Sequence, residues 1–435
     1  MGTPVPVPSE APPTARGIGS WRLLGIASAG LALAAIWALY NVFMPLLLAE
    51  FIDSRAVRGV VMGLDNVIAV VLIPVVGAWS DRVRSPWGQR LPFLFVGVPL
   101  TAATFALLPF ASATLWGLLI VAALFLLAVT FYRAPLAAVM PDHVPPERRS
   151  WANGVITLVA AAGGAIALLL VAPWFDVVAW LPFVVVGAVA LVTLFLVVAS
   201  SDRQPPFVTV GSGDEDAPPL GRLVRDVRSL GAPQLRGALL VLVGLFLAFF
   251  GYSSAEAQFS SFATQTLGTS PGGAGIALGA ASGAYVLAAM PAGWLARRYG
   301  ELRVMRWGAG VLVVALAASG LLVSDGPMLN VCLAFLGAGW SLIMVPGYPL
   351  VANQGGRERI GFFTGMYYFF GAAAAIVGPA ITGLGMDAFG DRALFVVSGV
   401  ALAAAVAVFV VAGRRGMGRA NDARVKDPRT RAKRT

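Results

Sequence analysis

Three charged side chains, Asp65, Arg133 and Glu256, lie inside long apolar stretches of the sequence. On insertion scales a charge at the centre of a bilayer costs about 2.5–3.5 kcal/mol, so an intramembrane charge usually has a function. A carboxyl deprived of water favours its protonated form, whereas a nearby guanidinium favours the ionised form. We therefore expect Asp65 or Glu256 to bind and release a proton under the influence of Arg133. Because an amide follows Asp65 at Asn66, the same site could instead bind Na⁺.

Helix geometry separates Asp65 from Arg133 in height. Asp65 precedes Asp81 by 16 residues, or about 24 Å, and Arg133 precedes Asp142 by 9 residues, or about 14 Å. A direct pair would have to span about 10 Å, so a water-filled path or a tilted helix is favoured over a simple salt bridge. A structural ion pair of Asp65 with Arg133, and an exposed helix end for Glu256, stay open as alternatives.

Aromatic and amide side chains recur at helical spacing near these charges. Sugar rings have apolar faces and polar edges, so sites that bind them combine aromatic rings with amides and carboxylates. The residues that could bind such a solute are Trp37, Tyr40, Asn41, Asn66, Tyr252, Trp340 and Tyr348. Packing, or a belt of aromatic rings at the membrane surface, explains the same stripes equally well.

The composition of the chain excludes a soluble fold. Of its 435 residues, 58% are hydrophobic and 12% are charged, against about 45–50% and 25% in soluble domains. A membrane-spanning helix needs about 20 apolar residues, so the composition suffices for twelve. The apolar stretches cover residues 22–49, 58–80, 91–110, 114–140, 151–172, 178–200, 236–262, 273–296, 304–323, 327–351, 360–386 and 393–412. The sequence therefore predicts an all-α protein of the lipid bilayer.

Polar segments divide the chain into five parts. We predict a disordered tail over 1–21, a six-helix bundle over 22–200, a cytoplasmic linker over 201–235, a second six-helix bundle over 236–413 and a basic tail over 414–435. The two bundles resemble each other at an offset of about 211 to 216 residues, which is typical of duplicated membrane transporters. We expect a pseudo-two-fold axis to relate them.

Basic residues are distributed unevenly between the two sides of the predicted membrane. When the spans alternate from an inside amino terminus, Arg55, Arg58 and Arg392 fall in outer loops and Arg133 falls in a span. All other lysines and arginines then lie on the inner side, as the positive-inside rule requires of cytoplasmic segments. Both termini and the linker are therefore expected in the cytoplasm.

The loop after the second span contains a distinctive motif. It reads GAWSDRVRSPWGQRLPF over residues 77–93. This loop resembles the GxxxDRxGRR loop of the major facilitator superfamily, in the SDRxxSxxGxRxPF form of its sucrose-carrier-like and glycoside–cation symporter branch. Three further segments are similar to that branch, over residues 131–153, 252–256 and 360–370.

The resemblance implies a twelve-helix transporter with alternating access, in which helices one, four, seven and ten line the cavity. It also implies a gating loop that includes Gly77, Asp81, Arg82, Gly88 and Arg90. Asp81 would face cations of a neighbouring helix and latch one conformation. The corresponding loop of the second half has Arg297 where an acid would match, so gating is expected to differ between the halves.

Missing motifs narrow the chemistry further. The sequence has no GxxxxGK[ST] loop, so the chain is not its own ATP-driven pump. With His143 and Cys332 as the only histidine and cysteine, we expect no metal centre, no cofactor and no enzyme activity. The net charge of +10 clusters between apolar stretches rather than on a folded face, which argues against nucleic-acid binding. Gly275, Gly279 and Gly283 form a small-residue ridge for close helix packing.

Together these features predict a monomeric secondary transporter of the bacterial inner membrane. Its partner would be a small-molecule solute, which the resemblance suggests is a disaccharide or related glycoside carried with protons. The alternatives are an exporter that exchanges drugs or metabolites for protons and a sodium-coupled sugar symporter.

Overall fold

The computed structural model of the chain describes residues 19–207, 232–322, 326–352 and 360–415. Within these ranges, twelve helices are long and apolar enough to cross a membrane. They are α1 (Ser20–Ala49), α2 (Arg55–Arg82), α3 (Leu91–Ala111), α4 (Leu115–His143), α5 (Arg149–Ile166), α6 (Leu181–Ser200), α7 (Ala232–Gln265), α8 (Pro271–Tyr299), α9 (Glu301–Leu322), α10 (Gly326–Ala352), α11 (Ile360–Phe389) and α12 (Ala393–Arg414). The predicted all-α membrane fold is confirmed.

The fifth span changes helix type near its end. After Ile166, α5 continues as a π-helical segment over Ala167–Val171 and as a 3₁₀ segment over Ala172–Asp176. Such changes redirect a helix without leaving its backbone groups unpaired in the membrane. The span therefore reaches Asp176, whose side chain then meets the other half of the molecule.

The helices form two groups of six. In the first, α1 packs on α5 and α6, and α3 packs on α4 and α6; in the second, α7 packs on α11 and α12, and α10 packs on α8 and α9. α1 begins at Ser20 and α7 at Ala232, close to the predicted bundle limits of 22 and 236. The parts of the predicted tails and linker over 1–18, 208–231 and 416–435 lie outside the described residues.

The described start of the linker is attached to the first bundle. The Asp202 N–H donates to Nε2 of His143 at 2.8 Å, and Arg22 forms an ion pair with Asp202 at 2.6 Å. His143 is the last residue of α4, is 6% exposed and also contacts the Val139 carbonyl through Nδ1 at 2.8 Å. The only histidine of the chain thus holds the segment that leaves α6.

The connections between helices lie at two ends of the molecule. The Arg55 end comprises residues 50–54, 112–114, 177–180, 266–270 and 390–392. The Asp81 end comprises residues 83–90, 144–148, 201–207 and 300.

Most of the contact between the bundles comes from two helix pairs, α2 with α11 and the fifth span with α8, and α1 also packs on α7. Towards the Arg55 end both pairs are in close contact: a methyl group added at Gly59 would strike the Pro379 carbonyl, and one added at Gly275 would strike Ala172. Farther along α8 the contact ends, because a methyl group at Gly283 would meet nothing within 4 Å. The bundles therefore touch at the Arg55 end and separate towards the Asp81 end.

Candidate functional site

A cavity of about 430 Å³, the main cavity, lies where the bundles separate. Ligand pockets usually measure about 300–1,000 Å³ and combine an apolar lining with a few polar groups. α1, α5, α7, α8 and α10 supply the aromatic and polar lining residues, which are Trp37, Asn41, Thr157, Tyr252, Glu256, Ser282, Tyr285 and Trp340. Glu256 is the single charged residue among the described lining residues. The cavity is therefore suited to a neutral or cationic solute.

α7 and α10 build one wall of the main cavity. The rings of Tyr252 and Trp340 stack at 4.1 Å with their planes 3° apart, and Phe249 packs edge-on against Trp340 at 5.1 Å. Tyr252 and Glu256 are four residues apart on α7, so they face the cavity together. The result is a wall of stacked aromatic rings beside one carboxyl group.

α1 supplies the facing wall. Trp37 and Asn41, also four residues apart, both line the main cavity. Asn41 Nδ2 donates to Glu256 Oε1 at 3.5 Å, and this long hydrogen bond connects the two bundles. Tyr40 points elsewhere, because it is 1% exposed and its ring stacks on Phe125 at 5.1 Å. Tyr40 thus packs inside the first bundle.

Asp65 and Arg133 lie beside the main cavity, outside its described lining. Asn66 Nδ2 donates to Asp65 Oδ1 at 2.6 Å, so this amide is hydrogen-bonded to the neighbouring carboxylate. The Arg133 guanidinium lies over the Trp37 ring at 5.4 Å, a cation–π arrangement. Arg133 is within electrostatic range of Asp65, but no ion pair within 4.0 Å joins them among the described residues.

Tyr348 lies two turns beyond Trp340 along α10 and does not line the main cavity. It is 39% exposed, its hydroxyl is 3.3 Å from Thr364 Oγ1, and its ring centre is 5.6 Å from that of Tyr367. It belongs to an aromatic cluster between α10 and α11.

Sequence reasoning missed Thr157, Ser282 and Tyr285, because α5 and α8 were not expected to line the cavity. α4 was expected to do so, yet no described residue of α4 is in the lining. The glycine ridge of α8 was a usable signal. Ser282 and Val286 continue the helical face of Gly275 and Gly279, which packs against the other bundle, into the main cavity.

Charged residues at the centre of the predicted gating loop pair with residues of their own bundle. Arg90 Nη1 pairs with Asp81 at 2.5 Å, Arg90 Nε pairs with Asp142 at 3.0 Å, and Nη1 also donates to Ser80 Oγ at 2.6 Å. Arg90 is 9% exposed and Asp142 is 4% exposed. Asp81 therefore pairs with an arginine of its own bundle in this conformation.

The other residues of that loop shape it. Gly88 has a φ of +84°, a conformation that favours glycine, and a Cβ there would lie 2.6 Å from the Arg203 carbonyl oxygen. A Cβ at Gly77 would lie 3.6 Å from Cβ of Ala134, which brings α2 into ordinary contact with α4. Arg82, the last residue of α2, is exposed.

At the Arg55 end, charged groups join the two bundles. Asp387, near the end of α11, accepts hydrogen bonds from Ser54 Oγ at 2.7 Å, Arg55 N at 2.8 Å and Ala56 N at 3.1 Å. It thereby caps the amino terminus of α2, where free N–H groups attract negative charge. The Arg55 guanidinium also pairs with Asp387 at 3.7 Å and with Asp391.

A second carboxylate makes the equivalent contact on the other helix pair. Asp176 Oδ1 accepts a hydrogen bond from Gly272 N at 2.8 Å, at the amino terminus of α8. Asp176 and Asp387 are 211 residues apart, and Ala56 and Gly272 are 216 residues apart, which matches the offset of the internal repeat. Applying that offset to single acidic residues was the signal that could have identified this pair.

The expectation that Arg55 and Arg58 lie in an outer loop is wrong, because α2 begins at Arg55 and includes both residues. Arg58 is in the first turn of α2 and is 2% exposed. The helix begins at Arg55 because Ser54 caps it, its hydroxyl accepting from Val57 N at 3.3 Å. Nη1 of Arg58 donates to Ser261 Oγ of α7 at 3.1 Å, which adds another contact between the bundles.

Known proteins share this architecture. Matches to the Major Facilitator Superfamily cover residues 26–264 and 241–433. A bacterial homologue of the human lysosomal transporter Spinster, solved in an inward-facing and occupied conformation, superimposes with a TM-score of 0.72 at 16% identity, covering 91% of this chain and 97% of that one. The nucleoside transporter NupG superimposes with a TM-score of 0.69 at 13% identity, covering 90% of this chain and 99% of that one. An auto-inhibited POT family peptide transporter superimposes with a TM-score of 0.65 at 14% identity, covering 91% of this chain and 97% of that one.

At these identities the solved structures establish the fold alone, and no curated protein matches the sequence. The family match establishes more than the fold, since it is a match to the sequence that covers both bundles and therefore most of the chain. With twelve spanning helices arranged as two bundles around a central cavity, this chain belongs to the Major Facilitator Superfamily of membrane transporters.

Proposed function

We propose that this transporter is a proton-coupled symporter of a disaccharide or related glycoside in the bacterial inner membrane. The observation that supports it most is the position of Glu256 beside the stacked rings of Tyr252 and Trp340 in the main cavity. The partly buried Tyr252 ring, stacked on Trp340, suits the apolar face of a pyranose, while the carboxyl group and the Asn41 amide suit its hydroxyls. A volume of about 430 Å³ suits a ligand of that size.

Orientation follows from the distribution of basic residues. The positive-inside rule assigns the Asp81 end to the cytoplasm, because its loops and the adjoining tails contain most of the arginines. In this orientation the contacts at the Arg55 end close the site towards the periplasm. The main cavity then opens towards the cytoplasm, and the conformation is inward-facing.

Glu256 is the proposed coupling group. Its hydrogen bond to Asn41 crosses between the bundles, so a change in its charge alters both the solute site and a contact that must change during alternating access. As a carboxylate it only accepts hydrogen bonds, whereas the protonated form can also donate one to a sugar hydroxyl. Asp65, bonded to Asn66 and close to Arg133, is the proposed second cation-binding group.

The test uses purified protein in proteoliposomes that contain a pH-sensitive dye. Sucrose, maltose and other glycosides are added outside in turn, and we expect one of them to acidify the lumen. Glu256→Gln should abolish the acidification but retain exchange of labelled sugar across the membrane, because exchange needs no net proton movement. Glu50→Gln removes an exposed carboxyl at the Arg55 end and should behave like the wild type. Full proton-driven accumulation in both Glu256→Gln and Asp65→Asn would contradict the proposal.

A second candidate is export of organic cations in exchange for protons. A carboxylate beside aromatic faces attracts cations as well as sugars. The same assay separates the possibilities by sign. Acidification by a sugar indicates proton symport. Alkalinisation by an added quaternary ammonium cation, which cannot cross the bilayer as a neutral base, indicates proton exchange. Sugar uptake that needs Na⁺ without a pH change indicates sodium coupling.

A further inference from the structure

A second cavity, here called the annex, lies next to the main cavity and extends into the second bundle. Its volume is about 60 Å³. Its walls come mainly from α1, α7 and α8, with contributions from the fifth span, α9, α10 and α12, and they include Ala255, Phe259, Leu316, Leu333 and Leu336. Every described lining residue that it does not share with the main cavity is apolar.

The polar residues of the annex are the ones that it shares with the main cavity. They are Asn41, Tyr252, Glu256 and Ser282. The shared wall also contains the hydrogen bond from Asn41 to Glu256, which at 3.5 Å is long enough for a ligand group to replace it at little cost. A molecule in the main cavity therefore meets a polar boundary first and a hydrocarbon space behind it.

We propose that the annex binds a small apolar aglycone of the transported glycoside while the sugar ring occupies the main cavity. This proposal rests on the proposed function. Apolar cavities remain dry, so filling one with hydrocarbon is favourable, whereas a hydroxyl there would find no hydrogen-bond partner beyond the shared wall. A six-carbon ring fits an apolar cavity of about 150 Å³, so the annex, at about 60 Å³, accepts about two carbon atoms.

The inference is tested by measuring how the affinity for alkyl glucosides depends on the length of the alkyl chain. Methyl, ethyl, propyl and butyl glucosides are measured as competitors of the transported sugar in proteoliposomes. Ethyl should bind about fourfold more tightly than methyl, because each buried methylene contributes a factor of that size. Propyl and butyl should show no further gain, since the annex is then full.

Two variants with opposite effects check the assignment. Leu333→Ala enlarges the annex, so the gain should continue to butyl, whereas Ala255→Val fills it and should abolish the gain from methyl to ethyl. The matched control is Leu329→Ala, which removes an equally buried leucine one turn away on α10 that does not line the annex. It should keep the wild-type preference for ethyl.

Separate results would overturn the annex and the proposed function. If glucosides bind but their affinity is independent of chain length, or if Leu333→Ala and Leu329→Ala show the same preference, the annex does not bind the aglycone and glycoside transport still stands. If no sugar or glucoside binds to protein shown to be folded, the proposed function fails, and the annex proposal fails with it.

Discussion

The two ends of the molecule use acidic and basic residues in different ways. At the Arg55 end, Asp387 and Asp176 each reach from one bundle to the amino terminus of a helix in the other. At the Asp81 end, Arg90 is buried between Asp81 and Asp142 of its own bundle. Contacts between bundles must break whenever the site changes sides, whereas contacts within a bundle can persist. The first set should therefore control the balance between conformations, and the second should control the stability of the first bundle.

The environments of the two sets agree with this division. Arg55, Asp387 and Asp391 are partly exposed, with side-chain exposures of 23%, 27% and 19%, and such ion pairs are individually weak. Arg90 and Asp142 are nearly buried, so removing Arg90 would leave the Asp142 carboxylate without its cation partner. Weak contacts between the bundles permit repeated opening, while strong contacts within a bundle keep it rigid.

The largest predicted effect is on stability at the Asp81 end. Arg90→Ala leaves the buried Asp142 carboxylate without its cation, which should cost about 3–5 kcal/mol of folding free energy. Thermal unfolding in detergent should show a clearly lower Tm than for Arg84→Ala, which removes an exposed arginine from the same loop. Equal Tm values for the two variants would contradict the role of Arg90.

The next effect is a shift in conformation at the Arg55 end. Replacing both Asp387 and Asp391 by asparagine removes the anions that hold Arg55, and should raise the population open at this end about tenfold, which corresponds to about 1.4 kcal/mol. The measurement is the spin-label distance between Ser112→Cys and Thr269→Cys in a Cys332→Ala background. Asp53→Asn, which removes an exposed acid at the same end, serves as the control. A distance distribution identical to that of the control would show that these ion pairs do not hold the Arg55 end closed.

Two glycine substitutions sharpen the comparison along the helices. Gly59→Ala adds a methyl group against the Pro379 carbonyl, whereas Gly283→Ala adds the same group where nothing lies within 4 Å. Both gain similar helix propensity, so their difference reports on the contact between the bundles. Gly59→Ala should raise the open population at the Arg55 end about fivefold, a typical size for a modest steric cost of about 1 kcal/mol. The spin-label assay should detect no shift in Gly283→Ala, and a shift there would mean that the bundles also meet at this level.

The smallest effect is expected at the second cap. Asp176→Asn keeps an oxygen that can accept from Gly272 N but loses the charge that favours a helix amino terminus, a term of about 0.3–1 kcal/mol. The open population should rise about twofold, less than for the Asp387 and Asp391 pair. A larger effect for Asp176→Asn would show that the α5–α8 contact, rather than α2–α11, dominates closure.

The sequence alone predicted more of the fold than of the site. Spans are encoded locally, because 20 or so apolar residues in a row suffice to identify a membrane helix. Which side of each helix faces the protein interior is not determined by the local sequence. Helices in lipid are apolar on nearly every side, so the stripe that distinguishes the core side of a soluble helix is weak here. Trp37 and Asn41 therefore line the cavity while Tyr40 between them packs on Phe125, and spacing alone treated all three alike.

The functional roles of the site residues are predictions, but the structure separates those that line the main cavity from those that do not. The structure brings Trp37, Asn41, Tyr252, Glu256 and Trp340 together around one cavity, although they come from α1, α7 and α10. Asn66 instead bonds to Asp65, and Tyr348 joins an aromatic cluster with α11. Arg58 was misplaced because one capping serine decided where α2 begins, and apolar counting does not detect a cap.

By itself, the sequence determined the twelve helices, their duplication and the few charges inside them, because the cost of exposing polar groups to lipid acts on each segment separately. Only the tertiary structure decided that Glu256 faces the main cavity and that Asp176 and Asp387 cap helices of the opposite bundle. These outcomes depend on how two bundles approach each other. That approach is set by contacts between residues about 100 to 330 positions apart, such as Asp176 with Gly272 and Ala56 with Asp387, which no local pattern encodes.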